Sequence, residues 1–129
     1  MGARRRLRPA QAVRSLARAL RGPLWFRVRG RSMVPTLEAG DMVVVLPCQV
    51  SDISPGALVV VRDPDGSGRA LVKRMVRCTA VGLTVSADNR REGRDSRHFG
   101  PVPAHLVHGR VLLVWTRSGH FRRPDRSPP

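Results

Sequence analysis

The stretch "ALVVVRDPDGSGRALVKRMVRC", Ala57 to Cys78, decides how the rest of this 129-residue chain is read. Its two halves are apolar and rich in β-branched residues, and between them "DPDGSG" (63–68) gathers the residues that bend a backbone sharply. That is the pattern of a β-hairpin, with strands over 57–62 and 69–78 joined by a tight turn. Working outward, "LWFRVRG" (24–30), "MVVVLP" (42–47), "VGLTVSA" (81–87) and "RVLLVW" (110–115) read as further short strands. Many short strands at close spacing predict an all-β domain, mostly antiparallel, of the barrel or sandwich type. Only the N-terminal part departs from this pattern. From Pro9 to Arg21, Val13, Leu16, Ala17 and Leu20 recur at helical spacing with Arg14, Arg18 and Arg21 on another face, which predicts a short amphipathic helix ended by Gly22-Pro23. Such a helix either lies on anionic lipid or packs against its own domain. The expected plan is a basic arm and helix over 1–23, one folded domain over 24–116 with a long loop at 88–104, and a disordered tail over 117–129.

Composition limits the function classes. Hydrophobic residues make up 41% of the chain, enough for one domain with a real core, and with two Trp, three Phe and no Tyr that core must be built from Val, Leu, Ala and Met. The net charge is +15, and residues 1–37 carry ten arginines and no acid. A basic arm of this kind is either an electrostatic handle for an anionic surface or a solvated tail. No nucleic-acid partner is expected, because no aromatic stacking platform or nucleic-acid motif accompanies the charge. The apolar runs are strand-sized, well short of the roughly 20 residues of a membrane span, so the chain is expected to be soluble or peripherally bound. Cys48 and Cys78 stand thirty residues apart without metal-site spacing and are expected as buried thiols on strands.

A candidate for chemistry lies in "GRSMVPTLEAGD" (30–41). Ser32 sits between turn residues ahead of a strand, either as part of an ordinary bend or as a nucleophile held rigidly. A nucleophilic serine needs a base within hydrogen-bond reach. The four histidines, His98, His105, His108 and His120, complete no triad pattern. Lys73 is the better candidate: 23 of the 24 basic residues are arginine, and this one lysine is the cation that can lose its proton near neutrality. Strand alternation places Leu71 and Met75 on its face and turns Arg74 the other way with Val72 and Val76. In that setting Lys73 either snorkels past its apolar neighbours to water or is buried with a depressed pKa.

Four segments taken together, "SMVPTL" (32–37), "GDMVVV" (40–45), "LVKRMV" (71–76) and "ADNRREGRDSRHFGPVP" (87–103), resemble the ordered boxes of the type I signal peptidase family, serine proteases with a Ser-Lys dyad. The resemblance covers about residues 25–115. It implies that Ser32 is the nucleophile and Lys73 the general base, with the oxyanion held by the backbone N–H of Ser32. Gly30 stands where some relatives carry an assisting hydroxyl, so only main-chain groups serve there. Asp88, Asn89, Asp95, Ser96 and Arg97 match the supporting polar segment, with Asp95 and Arg97 as an ion pair. Two positions depart from the pattern: Ala87 stands where the family usually has glycine, and Gly93 where it usually has a serine that orients the lysine, a task Ser96 could assume. The resemblance further implies a mostly antiparallel β-domain with a shallow apolar groove, near Met33, Pro35 and the strand at 26–31, to which a substrate adds as an extended strand.

The compact form, without a span or large insertions, is similar to the peptidases that mature nickel-type superoxide dismutase. In "DSR-x-FGPVP" and in size it is also similar to mitochondrial inner-membrane peptidases. The expected activity is removal of an N-terminal leader from a client precursor, without metal or organic cofactor. A nickel-type superoxide dismutase precursor is one client, in a bacterial cytoplasm or at the inner face of the membrane, where the arginine-rich arm would meet anionic lipid. The alternatives are a signal peptidase acting on secretory preproteins at the membrane, a basic binding module with impaired catalysis, and, last, a self-cleaving repressor peptidase.

Overall fold

In the computed structural model, residues 22–126 are described. They form one seven-stranded antiparallel sheet: β1 (Leu24–Arg27), β2 (Met42–Leu46), β3 (Leu58–Arg62), β4 (Ala70–Thr79), β5 (Gly82–Ser86), β6 (Val107–Trp115) and β7 (Phe121–Arg122). Among the described residues helix is limited to one turn, α1 (Ser96–Phe99), and two 3-10 turns at Val50–Asp52 and Ala104–Leu106. The strand order is β1-β2-β6-β3-β4-β5, with β7 also on β6. The all-β antiparallel architecture is as the sequence predicts. The N-terminal helix expected over 9–21 lies outside the described residues.

The hairpin at 57–78 forms with Arg62 opposite Ala70 and Val59 opposite Lys73. Its turn is built by Asp63, whose carboxylate accepts from the Asp65 N–H (2.9 Å) and from the Ser67 hydroxyl (2.6 Å), an arrangement only a short acceptor side chain at the first turn position provides. The sheet curls enough to bury apolar residues on both of its faces. Val43, Val45, Leu58, Val60, Val72, Val111 and Val114 pack in one layer with Val28, Met33 and Leu37. Val59, Val61, Met75, Leu83, Val85 and Val102 form the other with Ile53. β3 contributes to both layers, which is why "LVVV" is apolar at every position instead of alternating.

Two expectations need correcting. The tail does not become disordered at Thr116: Thr116 and His120 close a turn (Thr116 N–H to His120 O, 2.9 Å), and β7 then pairs Phe121 with Trp115 and Arg122 with Val114. Arg and Pro residues hid this short strand, whose partners lie on β6 and on the serine-bearing loop. The cysteines are not buried strand thiols either. Cys48 is half-buried in the loop after β2, Cys78 is exposed near the end of β4, and no disulfide joins them.

Candidate active site

Ser32 lies in the loop that joins β1 to β2. The base of this loop is closed by Val28 N–H to Asp41 O (2.7 Å) and Gly40 N–H to Val28 O (3.0 Å), and its far side by Leu37 N–H to Met33 O (2.9 Å). Met33 and Leu37 turn inward and anchor the loop in the core. Met33 is therefore not a groove residue as expected: it is 2% exposed, and its sulfur accepts the Asp88 N–H (3.4 Å), so it supports the serine loop from beneath. Pro35 is exposed. Gly30 has φ +72° with open space around its Cα, a conformation a serine would adopt only with strain, which accounts for the missing hydroxyl at this position.

A second loop, after β5, clamps the first. The Asn89 N–H donates to Ser32 O (2.8 Å), and its side-chain amide donates to Arg31 O (3.1 Å) and to Glu92 (3.2 Å). Asn89 O in turn accepts from Gly93 N–H (3.0 Å), folding residues 89–93 back over the serine. This loop is fixed to the sheet by Asp95, which is 1% exposed and caps α1. Its carboxylate accepts from Ala87 N–H (2.9 Å), Arg97 N–H (3.0 Å) and Arg97 Nε (2.9 Å). Burial alone would raise the Asp95 pKa, but these hydrogen bonds and the guanidinium charge outweigh it and hold the carboxyl below its usual range. The Asp95–Arg97 pair inferred from the sequence thus forms. Ser96 does not turn toward the lysine; its Oγ accepts the Val85 N–H (2.9 Å) and secures β5 instead.

Lys73 occupies the centre of β4 and is 2% exposed, so it does not snorkel. Its face is apolar, with Leu71 and Met75 on either side as alternation requires. Burial lowers its pKa from 10.5 to about 8, against the opposing pull of the Asp95 and Asp63 charges, which favour the ammonium. Among the described residues no hydrogen bond or ion pair is formed by the Lys73 amine or by the Ser32 hydroxyl, and a buried amine without a partner is costly unless it has a use.

The strand register carries the chain from the neighbourhood of Lys73 toward the serine loop. Arg74 pairs with Ser86 and Met75 with Val85, and one further step sets Ala87 opposite Lys73. A Cβ built on Gly93 would overlap the Ala87 methyl and lie 3.0 Å from Ser32 Cβ. Ala87, Gly93 and Ser32 are therefore neighbours in space, and Ala87 lies one step beyond the last pair of β4 and β5. The two departures from the family pattern, at 87 and 93, are neighbours.

Behind this row lies a network that strand alternation did not reveal. Arg74, on the opposite face with Val72 and Val76, is 3% exposed. Its guanidinium grips Asp88 with two hydrogen bonds (2.9 and 2.7 Å) and donates to the carbonyls of Gly56 (2.8 Å) and Asp125 (2.7 Å). Asp88 also accepts from the Thr36 hydroxyl, and Arg122 donates to Thr36 O. The serine loop is thus tied to β4 and to the C-terminal segment. The available signal was an arginine immediately after the lysine in an otherwise apolar run.

None of the four histidines contacts Ser32. His98 accepts the Asp95 N–H at Nδ1 (3.2 Å), His108 stacks on Phe26 with centroids 5.1 Å apart, and His120 lies in the Thr116 turn. Among the described residues no three His, Cys, Asp or Glu side chains converge as metal ligands.

Comparison with known proteins places this arrangement. Residues 11–99 match the family described as Peptidase S24-like. The chain belongs to that family. It is 35% identical over 114 residues to mitochondrial ATP-independent inner membrane protease subunit 1a of Arabidopsis thaliana, covering 68% of each chain. It is also 29% identical to mitochondrial inner membrane protease subunit 1 of Xenopus tropicalis (67% of this chain, 65% of the relative) and 28% identical to subunit 2 of Danio rerio (80% and 70%). The chain spans about two thirds of the length of these relatives. The signal-peptidase-like resemblance of the sequence is borne out at the level of the family, and the peptidase class with it. The likeness to nickel-type superoxide dismutase peptidases has no counterpart among these relatives.

Proposed function

We propose that the chain is a serine endopeptidase in which Ser32 attacks a peptide carbonyl and Lys73 is the general base, removing a leader from a precursor protein. The observation that carries the reading is Lys73: a buried amine that forms no hydrogen bond or ion pair among the described residues, with a pKa near 8. At neutral pH roughly a tenth of such lysines are unprotonated, against about one in several thousand for an exposed one. The neutral amine takes the Ser32 proton as Oγ bonds to the carbonyl carbon, and the resulting ammonium returns that proton to the departing amine. Water then releases the acyl group, with Lys73 again accepting the proton. The oxyanion meets the N–H groups around Gly30 and Ser32, which donate to no backbone carbonyl among the described residues.

The substrate would enter as a strand. β4 pairs with β3 from Ala70, whereas β5 joins its other side only from Arg74, so Ala70–Lys73 present an open edge beside the base. The relatives are named as inner membrane protease subunits, which supports a precursor protein as partner and a site of action at a membrane surface. No helix among the described residues is long and apolar enough to cross a membrane, and the arginine-rich residues 1–23 would supply contact with anionic lipid. A nickel-type superoxide dismutase precursor and a secretory preprotein are the two clients to compare.

The test is covalent labelling by an acylating serine-peptidase probe, read by intact mass across pH. One acyl group per chain is expected, absent in Ser32→Ala. Its rate should rise with pH through about 8, because the neutral lysine is the active form. Labelling that persists in Ser32→Ala, or a midpoint left near the ordinary lysine value, would sink the reading.

A further inference from the structure

Gly93 is buried, and it is absent from the glycines with positive φ, so left-handed backbone is not what calls for glycine here. The requirement is one of space. A methyl group at 93 would sit closer to the Ala87 Cβ than non-bonded carbons come, 3.0 Å from Ser32 Cβ and 3.1 Å from Asn89 O. None of these neighbours can yield easily. Ala87 is held by its N–H to Asp95, and Asn89 by its bonds to Arg31 and Ser32. The weakest restraint is on Ser32, which has one backbone bond, through its carbonyl, in an otherwise turn-built loop.

We propose that Ala87 and Gly93 act as one size-matched pair that sets the position of Ser32 relative to Lys73, so that the volume missing at 93 is the volume supplied by the methyl at 87. Gly93 is a positioning residue under this proposal, and its role in catalysis rests on the Ser32–Lys73 reading. A side chain at 93 alone pushes the serine away from the strand that carries the lysine. The same side chain is accommodated when residue 87 gives up its methyl. The pair therefore tolerates one Cβ in this space and not two, and the two departures from the family pattern form a single compensated exchange.

The experiment compares Gly93→Ala, Ala87→Gly and the double variant in the full chain, by acylation rate at about pH 9.5 and by thermal melting. At that pH the lysine is unprotonated in every variant, so the rate reports where Ser32 sits. Gly93→Ala is expected to acylate at least tenfold more slowly than wild type, and Ala87→Gly/Gly93→Ala to recover to within about threefold. A Gly93→Ala rate equal to wild type, or a double variant no faster than Gly93→Ala, overturns the proposal. If wild type takes no label, the Ser-Lys reading has failed by itself. Melting then decides the pair: a double variant more stable than Gly93→Ala upholds the shared space, and additive losses refute it.

Discussion

Lys73 and Arg74 are consecutive residues of one strand, both cationic, both almost fully buried, and the structure treats them in opposite ways. Arg74 makes four hydrogen bonds, two of them to the Asp88 carboxylate, and joins three distant segments of chain. The Lys73 amine makes none among the described residues, and burial pushes its pKa to about 8. The difference follows from side-chain chemistry. A guanidinium keeps its charge under any burial and offers a planar fork of donors, so it suits a permanent junction. An ammonium deprived of partners can surrender its proton, so it suits a base. The sheet gives each its own face: the Arg74 face carries the support that holds the serine loop, and the Lys73 face carries the buried amine to which the proposed function assigns the chemistry.

The largest effect expected from breaking this division is at Lys73. Lys73→Met, which keeps the length and removes the amine, should lower the acylation rate roughly 10²–10⁴-fold, the usual worth of a general base. It should also raise stability at pH 7, and the sign follows from linkage. The folded pKa (about 8) lies below the unfolded one (10.5), so between these values the unfolded chain binds more protons and wild-type stability climbs with pH. Below about pH 8 the wild type lacks that contribution, which amounts to about 3 kcal/mol for this shift. Chemical denaturation at pH 7 and pH 10 should show Lys73→Met more stable than wild type at the lower pH, with the rise between the two much reduced. A wild-type stability flat across that interval would mean the lysine is solvated.

Arg74 should behave in the reverse sense. Arg74→Met leaves the Asp88 carboxylate buried without its partner, a loss of about 3–5 kcal/mol for a broken buried pair. Arg74→Lys should restore only part of it, since one ammonium cannot replace a two-point grip and also reach the Gly56 and Asp125 carbonyls. Urea melts of the two variants check this. Equal stability of Arg74→Lys and wild type would show that charge alone, not the fork, matters at this junction.

How much of this was legible in the sequence follows the same division. β-branched runs and turn residues are local, so the hairpin at 57–78 and four of the other strands could be read directly. Lys73 could be singled out because it is one lysine among arginines, and its face because alternation holds there. For Arg74 alternation gave the face but not its burial, since it does not say whether a face meets solvent; that burial depends on Asp88, Thr36 and Asp125, which are 14 to 51 residues away. Met33 was misread for a related reason, because a methionine beside a nucleophile reads equally as groove or as core. The close approach of Ala87 to Gly93 could not be read at all, since it depends on how the loop after β5 folds back on itself over Ser32.

The smallest of the expected effects tests how far the support extends into the C-terminal segment. Arg122 donates to the Thr36 carbonyl, and Thr36 in turn donates to Asp88, so β7 touches the serine loop through one side chain. Arg122→Leu removes that hydrogen bond at a half-buried site, which is worth about 1 kcal/mol on average. The expected outcome is a melting temperature a few degrees lower and an acylation rate reduced only a few-fold, with Arg122→Lys close to wild type because a single donor suffices for a single carbonyl. A loss as large as that of Arg74→Met would mean that β7 is an integral part of the support and not an outer brace. No change in either quantity would confine the polar support of the serine loop to Arg74, Asp88 and Thr36, alongside the anchors at Met33, Leu37 and Asn89.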